Sequence, residues 1–99
     1  MVSVKFLELH PSALEETEAA AAWYAERDPR VAARFMTDLE ANLGRILEAP
    51  TRWPLYLRGT RRIPLTRFPF FILYRDEPAR VLVVAVAHAR RKPGYWNER

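Results

Sequence analysis

The residues best able to do chemistry lie close together near the end of the chain. His88 closes an apolar run, three basic residues follow at 90–92, and Tyr95 and Trp96 come next. Basic groups interleaved with aromatic rings can bind phosphates while the rings stack on nucleobases. Alternatives stay open from the residues alone. The rings can instead anchor the terminal segment over the core, and His88 can face the core rather than act as a base.

The second half of the sequence predicts a cationic surface. Residues 1–50 hold 5 Lys or Arg against 9 Asp or Glu, whereas residues 51–99 hold 11 against 3. Most of the basic residues are Arg, whose planar guanidinium makes paired contacts with phosphates or carboxylates. The partner could therefore be RNA or an acidic protein segment. The residues expected to bind a target or partner are Arg58, Arg61, Arg62, Arg67, Arg75, Arg90, Arg91, Lys92 and Trp96.

The elements that must position these groups begin with a strand and a helix. The apolar pattern of residues 2–9 predicts a strand, which ends at the solvated turn residue His10 and the proline after it. Ser12 and Glu15 have the spacing of a capping box, in which each side chain satisfies a free backbone N–H of the other. A helix is therefore predicted over residues 12–26.

Asp28 and Pro29 mark the start of a second helix, because an acidic cap followed by proline suits the first helical turn. The helix ends before Pro50, and the short link to the first helix predicts an antiparallel hairpin. Trp23 is interpreted as a packing residue. On the first helix the expected inward residues are Leu14, Ala21 and Tyr24. On the second helix they are Val31, Phe35, Leu39, Leu43, Ile46 and Leu47.

Three further extended segments, at residues 60–66, 69–75 and 80–88, predict an antiparallel meander. Pro64 favours an edge position for the first of them, because proline cannot donate to a neighbouring strand. The predicted fold class is therefore α+β: an N-terminal strand, an antiparallel helical hairpin and a three-stranded antiparallel meander, in a single domain over residues 1–99. The helices cover one sheet face, and we expect the other face to be free and rimmed by arginines.

Side-chain alternation along the meander makes further predictions. Arg61 and Arg62 are adjacent and must face opposite sides of the sheet. Arg75 is expected to pair with Asp76 or Glu77. The last strand is expected to place His88 on the same side as Leu82, Val84 and Val86.

Composition excludes several classes of protein. There are no cysteines, hence no disulfides, no thiol nucleophile and no Cys-bound zinc, which fits a cytoplasmic location. The first residues lack the apolar stretch of a signal peptide, and the apolar run 81–87 is too short to cross a bilayer. We therefore expect no membrane contact, no metal and no cofactor.

Two motifs carry a resemblance to a known family. The run Arg67 to Arg75 reads R-x-P-F-F-I-L-Y-R, and the segment Val86 to Arg91 reads V-A-H-A-R-R. With the order of elements, they make the chain similar to toxins of the RelE/ParE (plasmid stabilisation) type, although Ala89 stands where the family usually has glycine. The resemblance covers nearly the whole chain. It implies a growth-inhibiting toxin of a type II toxin–antitoxin system that forms a hetero-oligomer with its cognate antitoxin.

The resemblance implies different residues for the two activities of the family. RelE-like members cut mRNA on the ribosome without a metal, and their pattern places Arg90 and, after a one-residue gap, Tyr95 in catalytic positions. Arg61 or Arg62 matches the basic residue of the first meander strand. The lysine pair that precedes it in RelE is absent here, and His88 could serve as the base if its ring reaches the open sheet face.

The function predicted first is therefore ParE-like, inhibition of DNA gyrase by binding. The missing lysines and the lack of a clear acid–base set favour it over the alternative, a RelE-like ribosome-dependent mRNA endonuclease. A further alternative is a relative that binds an antitoxin but is not toxic. An antitoxin is expected to wrap the protein with an extended or helical acidic arm.

Overall fold

The computed structural model describes residues 5–99, so residues 2–4 of the expected first strand lie outside the described part. The elements in chain order are β1 (Phe6–Leu9), α1 (Pro11–Arg27), α2 (Pro29–Glu48), β2 (Arg61–Pro64), β3 (Phe70–Asp76) and β4 (Arg80–His88), with a 3₁₀ turn at Leu57–Gly59. Across residues 5–99, neither helix has the length and apolar character that a membrane span requires.

The four strands form one sheet in the order β1-β4-β3-β2. β1 runs parallel to β4, and the β2–β3 and β3–β4 pairs are antiparallel. The two helices pack on each other and on one sheet face. This arrangement confirms the predicted α+β fold with its N-terminal strand, helical hairpin and meander. Pro64 lies on the edge strand β2, as its missing N–H requires.

The start of α1 differs from the expectation. His10 is the N-cap, and its Nδ1 accepts the N–H of Ser12 at 3.1 Å, so the capping box with Glu15 is wrong and His10 is more than a solvated turn residue. Pro11 occupies the first turn, where its fixed backbone angle suits a helix. At the next helix the prediction is confirmed: Asp28 caps α2, with its carboxylate accepting the N–H of Arg30 at 2.9 Å.

The helix-side core joins α2 to the sheet. Phe35, Leu39 and Ile46 of α2 are buried against β3 and β4, as their spacing predicts. The inward residues of α1 are Ala13, Thr17 and Ala20, whose small size lets the helix approach the sheet. The prediction for Leu14 is wrong: this side chain lies about 100° further round the helix and is exposed. Leu47 also lies outside the core.

A β-bulge decides which face each residue of β4 occupies. Leu73 pairs with Ala85 and the next residue, Tyr74, pairs with Val83, which leaves an extra residue, Val84, on β4. Because an extra residue reverses the alternation, the expected common side for His88 and its predecessors is only partly right. Val86 packs in the helix-side core, and His88 meets the ring of Phe70 there at 5.1 Å. Leu82 and Val84 pack on the opposite face.

The face opposite the helices is covered, which corrects the expectation of a free sheet surface. Leu73, Val84, Ala85 and Ala87 form a buried cluster there, and Trp96 packs against them with only 3% of its surface exposed. The terminal segment folds back over the sheet because its aromatic rings pack on an apolar strip of β3 and β4. Of the two alternatives that the sequence leaves open for Trp96, the anchoring role is the one observed.

Candidate functional site

Glu16 of α1 is the centre of the contacts that hold the terminal segment. Its carboxylate accepts the hydroxyl proton of Tyr95 at 2.6 Å and the guanidinium of Arg99 at 2.8 Å. It also accepts the backbone N–H of Val86 at 3.1 Å. Val86 lies beyond Val83, the last residue of β4 that pairs with β1. One carboxylate therefore links the helix layer, β4 and the terminal segment.

The hydroxyl of Tyr95 is committed to this contact. Burial, and then the hydrogen bond and charge of Glu16, raise the pKa of Tyr95 well above its ordinary value of 10.0. The phenol therefore stays protonated at neutral pH with its proton directed at Glu16. An acid or base role for Tyr95 would first require this hydrogen bond to break.

His88 lies on the helix side of the sheet, away from the face where a base was expected. Its Nδ1 accepts the backbone N–H of Arg90 at 3.1 Å, which leaves Nε2 as the ring nitrogen without a hydrogen bond to the described residues. Arg90 itself is exposed in the turn after β4. The three candidate catalytic residues His88, Arg90 and Tyr95 thus do not meet on an open sheet surface.

A groove of about 650 Å³ opens between α1 and the ends of β3 and β4. Its floor is small and apolar, with Ala20 and Val86, and its walls carry aromatic rings. Arg91 lies at one end with its guanidinium 3.9 Å from the ring of Tyr95, and Arg27 covers Trp23 at 3.5 Å beyond the other end. The residues lining the groove are Glu16, Ala19, Ala20, Trp23, Tyr24, Pro69, Phe70, Val86, His88, Arg91 and Tyr95.

Sequence reasoning missed this groove, although a signal for it was present. Five of its residues (Glu16, Ala19, Ala20, Trp23 and Tyr24) repeat at helical spacing along one face of α1. The interpretation of Trp23 as a packing residue is wrong, because 53% of its surface is exposed at the rim.

The arginines do not rim one surface. Arg61 and Arg62 face opposite sides, as predicted. The guanidinium of Arg61 donates to the carbonyl of Trp53 at 2.5 Å. The guanidinium of Arg62 lies on the sheet face that the terminal segment covers, between the rings of Tyr56 at 4.3 Å and Phe71 at 4.5 Å. The two side chains therefore cannot act on one ligand.

Arg75 lies at the far end of β3 and does not pair as expected. It donates to the carbonyl of Arg99 at 3.0 Å, and more weakly to that of Arg58 at 3.4 Å. The acids expected as its partners are taken by other cations: Asp76 pairs with Lys5 and Glu77 with Arg80.

Another, more exposed group of predicted cations lies at the opposite end of the sheet. Within residues 5–99 its members form no salt bridge: Arg67, Arg90, Arg91 and Lys92.

Known proteins of the same fold define a class of small bacterial toxins. A chain of the chromosomal ParDE toxin–antitoxin system from P. aeruginosa superposes with a TM-score of 0.77 at 16% identity, over 88% of this chain and 98% of that one. A double mutant of E. coli toxin RelE in the free state gives 0.59 at 25% identity, over 88% and 85%. The same mutant with a peptide of the antitoxin RelB gives 0.61 at 21% identity, over 97% and 95%.

A sequence match to a family model shows which family the chain belongs to. The model of the ParE toxin of the type II toxin–antitoxin system parDE matches residues 7–93. The chain belongs to this family and is a toxin of a type II toxin–antitoxin system, and the match favours the ParE-like over the RelE-like type. No curated protein matches the chain in sequence.

Proposed function

We propose that this toxin inhibits DNA gyrase by binding to it and does not cut RNA. The hydrogen bond from the Tyr95 hydroxyl to Glu16 supports the proposal most. Because this hydroxyl proton is bound to Glu16, Tyr95 is not free to act as the acid that a RelE-like reaction would need. The guanidinium of Arg62, a predicted cation of the reaction, is held between the rings of Tyr56 and Phe71. Binding alone requires no such set.

The surface proposed to meet the target is the exposed turn after β4. Arg90 and Lys92 extend there without a salt bridge to the described residues, and the neighbouring Arg67 adds a third cation. Exposed guanidinium and ammonium groups speed encounter with an acidic partner surface. The cytoplasmic location and the lack of a cofactor stay predictions from the sequence.

The partner that neutralises the toxin is proposed to be a cognate antitoxin, bound as a hetero-oligomer. The groove beside α1 is its proposed docking site, because its lining is mainly apolar and cations lie at its ends: Arg91, which forms no salt bridge with the described residues, and Arg27, which pairs with Glu26 at 3.8 Å. The only acid in the lining, Glu16, is already bonded to Tyr95 and Arg99. An amphipathic acidic segment has the complementary chemistry.

A supercoiling assay with purified gyrase and toxin tests the proposal. The wild-type protein should block supercoiling, and Arg90→Ala combined with Lys92→Ala should weaken inhibition about tenfold or more. Arg34→Ala combined with Arg52→Ala removes equal charge elsewhere and should leave inhibition intact. Normal supercoiling at excess toxin, with cleaved transcripts in arrested cells, would instead support the RelE-like alternative. Continued growth of cells making the toxin alone would indicate a non-toxic relative.

A further inference from the structure

The terminal segment, residues 94–99, contacts the body of the protein in an unusual way. Its backbone hydrogen bonds within the described residues are all local: Tyr95 to Lys92, Asn97 to Gly94 and Arg99 to Trp96. The segment adds no strand to the sheet and forms no regular helix. Its contacts with the body are made by its own side chains and by the guanidinium of Arg75, which donates to the carbonyl of Arg99 at 3.0 Å.

Those side chains close a gap that the sheet leaves open. β1 pairs with β4 as far as Val83, and β4 continues beyond it without a strand on that side in the described part of the chain. The carboxylate of Glu16 accepts the N–H of Val86 at 3.1 Å, and the guanidinium of Arg99 donates to the carbonyl of Val84 at 3.0 Å. The ion pair between Glu16 and Arg99 thus forms hydrogen bonds with backbone groups of β4 that a neighbouring strand would otherwise pair with.

The closed arrangement also carries a penalty. The indole Nε1 of Trp96 is the one buried side-chain nitrogen or oxygen among residues 5–99 without a hydrogen-bond partner. A buried donor without an acceptor loses its hydration and gains nothing in return. This penalty disappears when the indole leaves the sheet, so it lowers the free energy needed to open the segment.

The backbone at the start of the segment has the features of a hinge. Gly94 has φ +88, a backbone conformation that other residues rarely adopt, and it follows Pro93. The chain changes direction there after the exposed turn at residues 89–92. Opening at this point would leave the pairing of β3 with β4 untouched.

We propose that residues 94–99 form a flap, that Glu16 is its latch, and that the flap opens while the rest of the fold stays intact. In the closed form Trp96 and the apolar strip of Leu73, Val84 and Ala87 are inaccessible. In the open form they are accessible to solvent.

Hydrogen exchange in the full chain tests the flap without any target. Glu16→Ala removes the latch, and Glu15→Ala is the matched control, because Glu15 is an exposed neighbour on the same helix. With Glu16→Ala, the amides of residues 94–99 and the Trp96 indole proton should exchange about tenfold faster or more, the effect of losing charged hydrogen bonds. The amides of α2 and β3 should keep their rates.

Arg99→Ala removes the same ion pair from the side of the flap and should give the same local effect, which covers the case that Glu16→Ala does not fold. If both variants speed exchange equally across the flap, α2 and β3, the segment unfolds only with the whole protein and the proposal is overturned. Unchanged exchange in residues 94–99 would also overturn it. A protein that fails to inhibit gyrase can still show the flap, so the two proposals fail separately.

Discussion

The carboxylate of Asp38 on α2 accepts the backbone N–H of Arg67, in the turn between β2 and β3, at 2.8 Å. Its other oxygen accepts the N–H of Thr66 at 3.1 Å and the side-chain amide of Asn42 at 2.9 Å. Consecutive backbone N–H groups form a concavity suited to an anion, and here an acid of the protein itself fills it. The contact fixes the turn that bears one of the exposed cations of the proposed target surface.

Asp38→Ala should therefore destabilise the protein by about 3 kcal/mol, because it leaves several donors in a largely buried place without their charged acceptor. Urea unfolding measures the loss. Glu40→Ala, on the same helix but exposed, should change the free energy of unfolding by less than about 0.5 kcal/mol. Equal midpoints and slopes for the two variants would show that the Asp38 contacts do not stabilise the turn.

The cap of α2 predicts a pH dependence on the acid side. Hydrogen bonds from the Arg30 side chain and backbone hold the pKa of Asp28 below its ordinary value of 3.8. The folded state thus takes up this proton at lower pH than the unfolded state. The stabilisation is complete above pH 3.8 and is lost as the pH falls through the folded pKa.

Asp28→Asn keeps a capping side chain without the titrating charge. We expect the wild-type protein to keep its advantage over this variant down to pH 3.8 and to lose it as the pH falls further, measured as the difference in urea midpoint. A difference that stays constant below pH 3.8 would contradict the assignment.

Tyr74 predicts the opposite behaviour in alkali. Burial raises its pKa from 10.0 to about 12, and its hydroxyl donates to the carbonyl of Pro50 at 2.6 Å. Because the unfolded chain releases this proton first, the wild-type protein should lose stability from pH 10 to 12. At pH 7 Tyr74→Phe should cost roughly 1 kcal/mol for the lost hydrogen bond. That deficit should shrink or reverse as the pH approaches 12, and a deficit that stays constant would be the contrary result.

Much of the fold follows from local rules. The stripe of Phe35, Leu39 and Ile46, the cap at Asp28 and the edge position of Pro64 each follow from nearest-neighbour chemistry, and the structure has them where the sequence predicts. The β-bulge at Val84 could not be predicted, because every residue around it is apolar and either face would bury it.

The candidate site was harder to predict for a related reason. Glu16 reads as an ordinary helix acid, and only the fold brings it to Tyr95 and Arg99, far along the chain. The covered sheet face likewise depends on where Trp96 packs, which local pattern leaves open. Long-range pairing, rather than residue type, decides these contacts.

The groove beside α1 yields the sharpest prediction about the antitoxin. Ala19 is an exposed residue of its lining, and Ala22 is exposed on the same helix outside it. Ala19→Trp should fill the groove and weaken binding of the cognate antitoxin about tenfold or more, whereas Ala22→Trp should not change it. Isothermal titration calorimetry measures both affinities, and thermal unfolding of the free variants checks that each is folded. Since the two changes add the same side chain to the same helix, a selective loss assigns the contact to the groove. Equal affinities would place the antitoxin on another surface, with the family membership of the toxin unaffected.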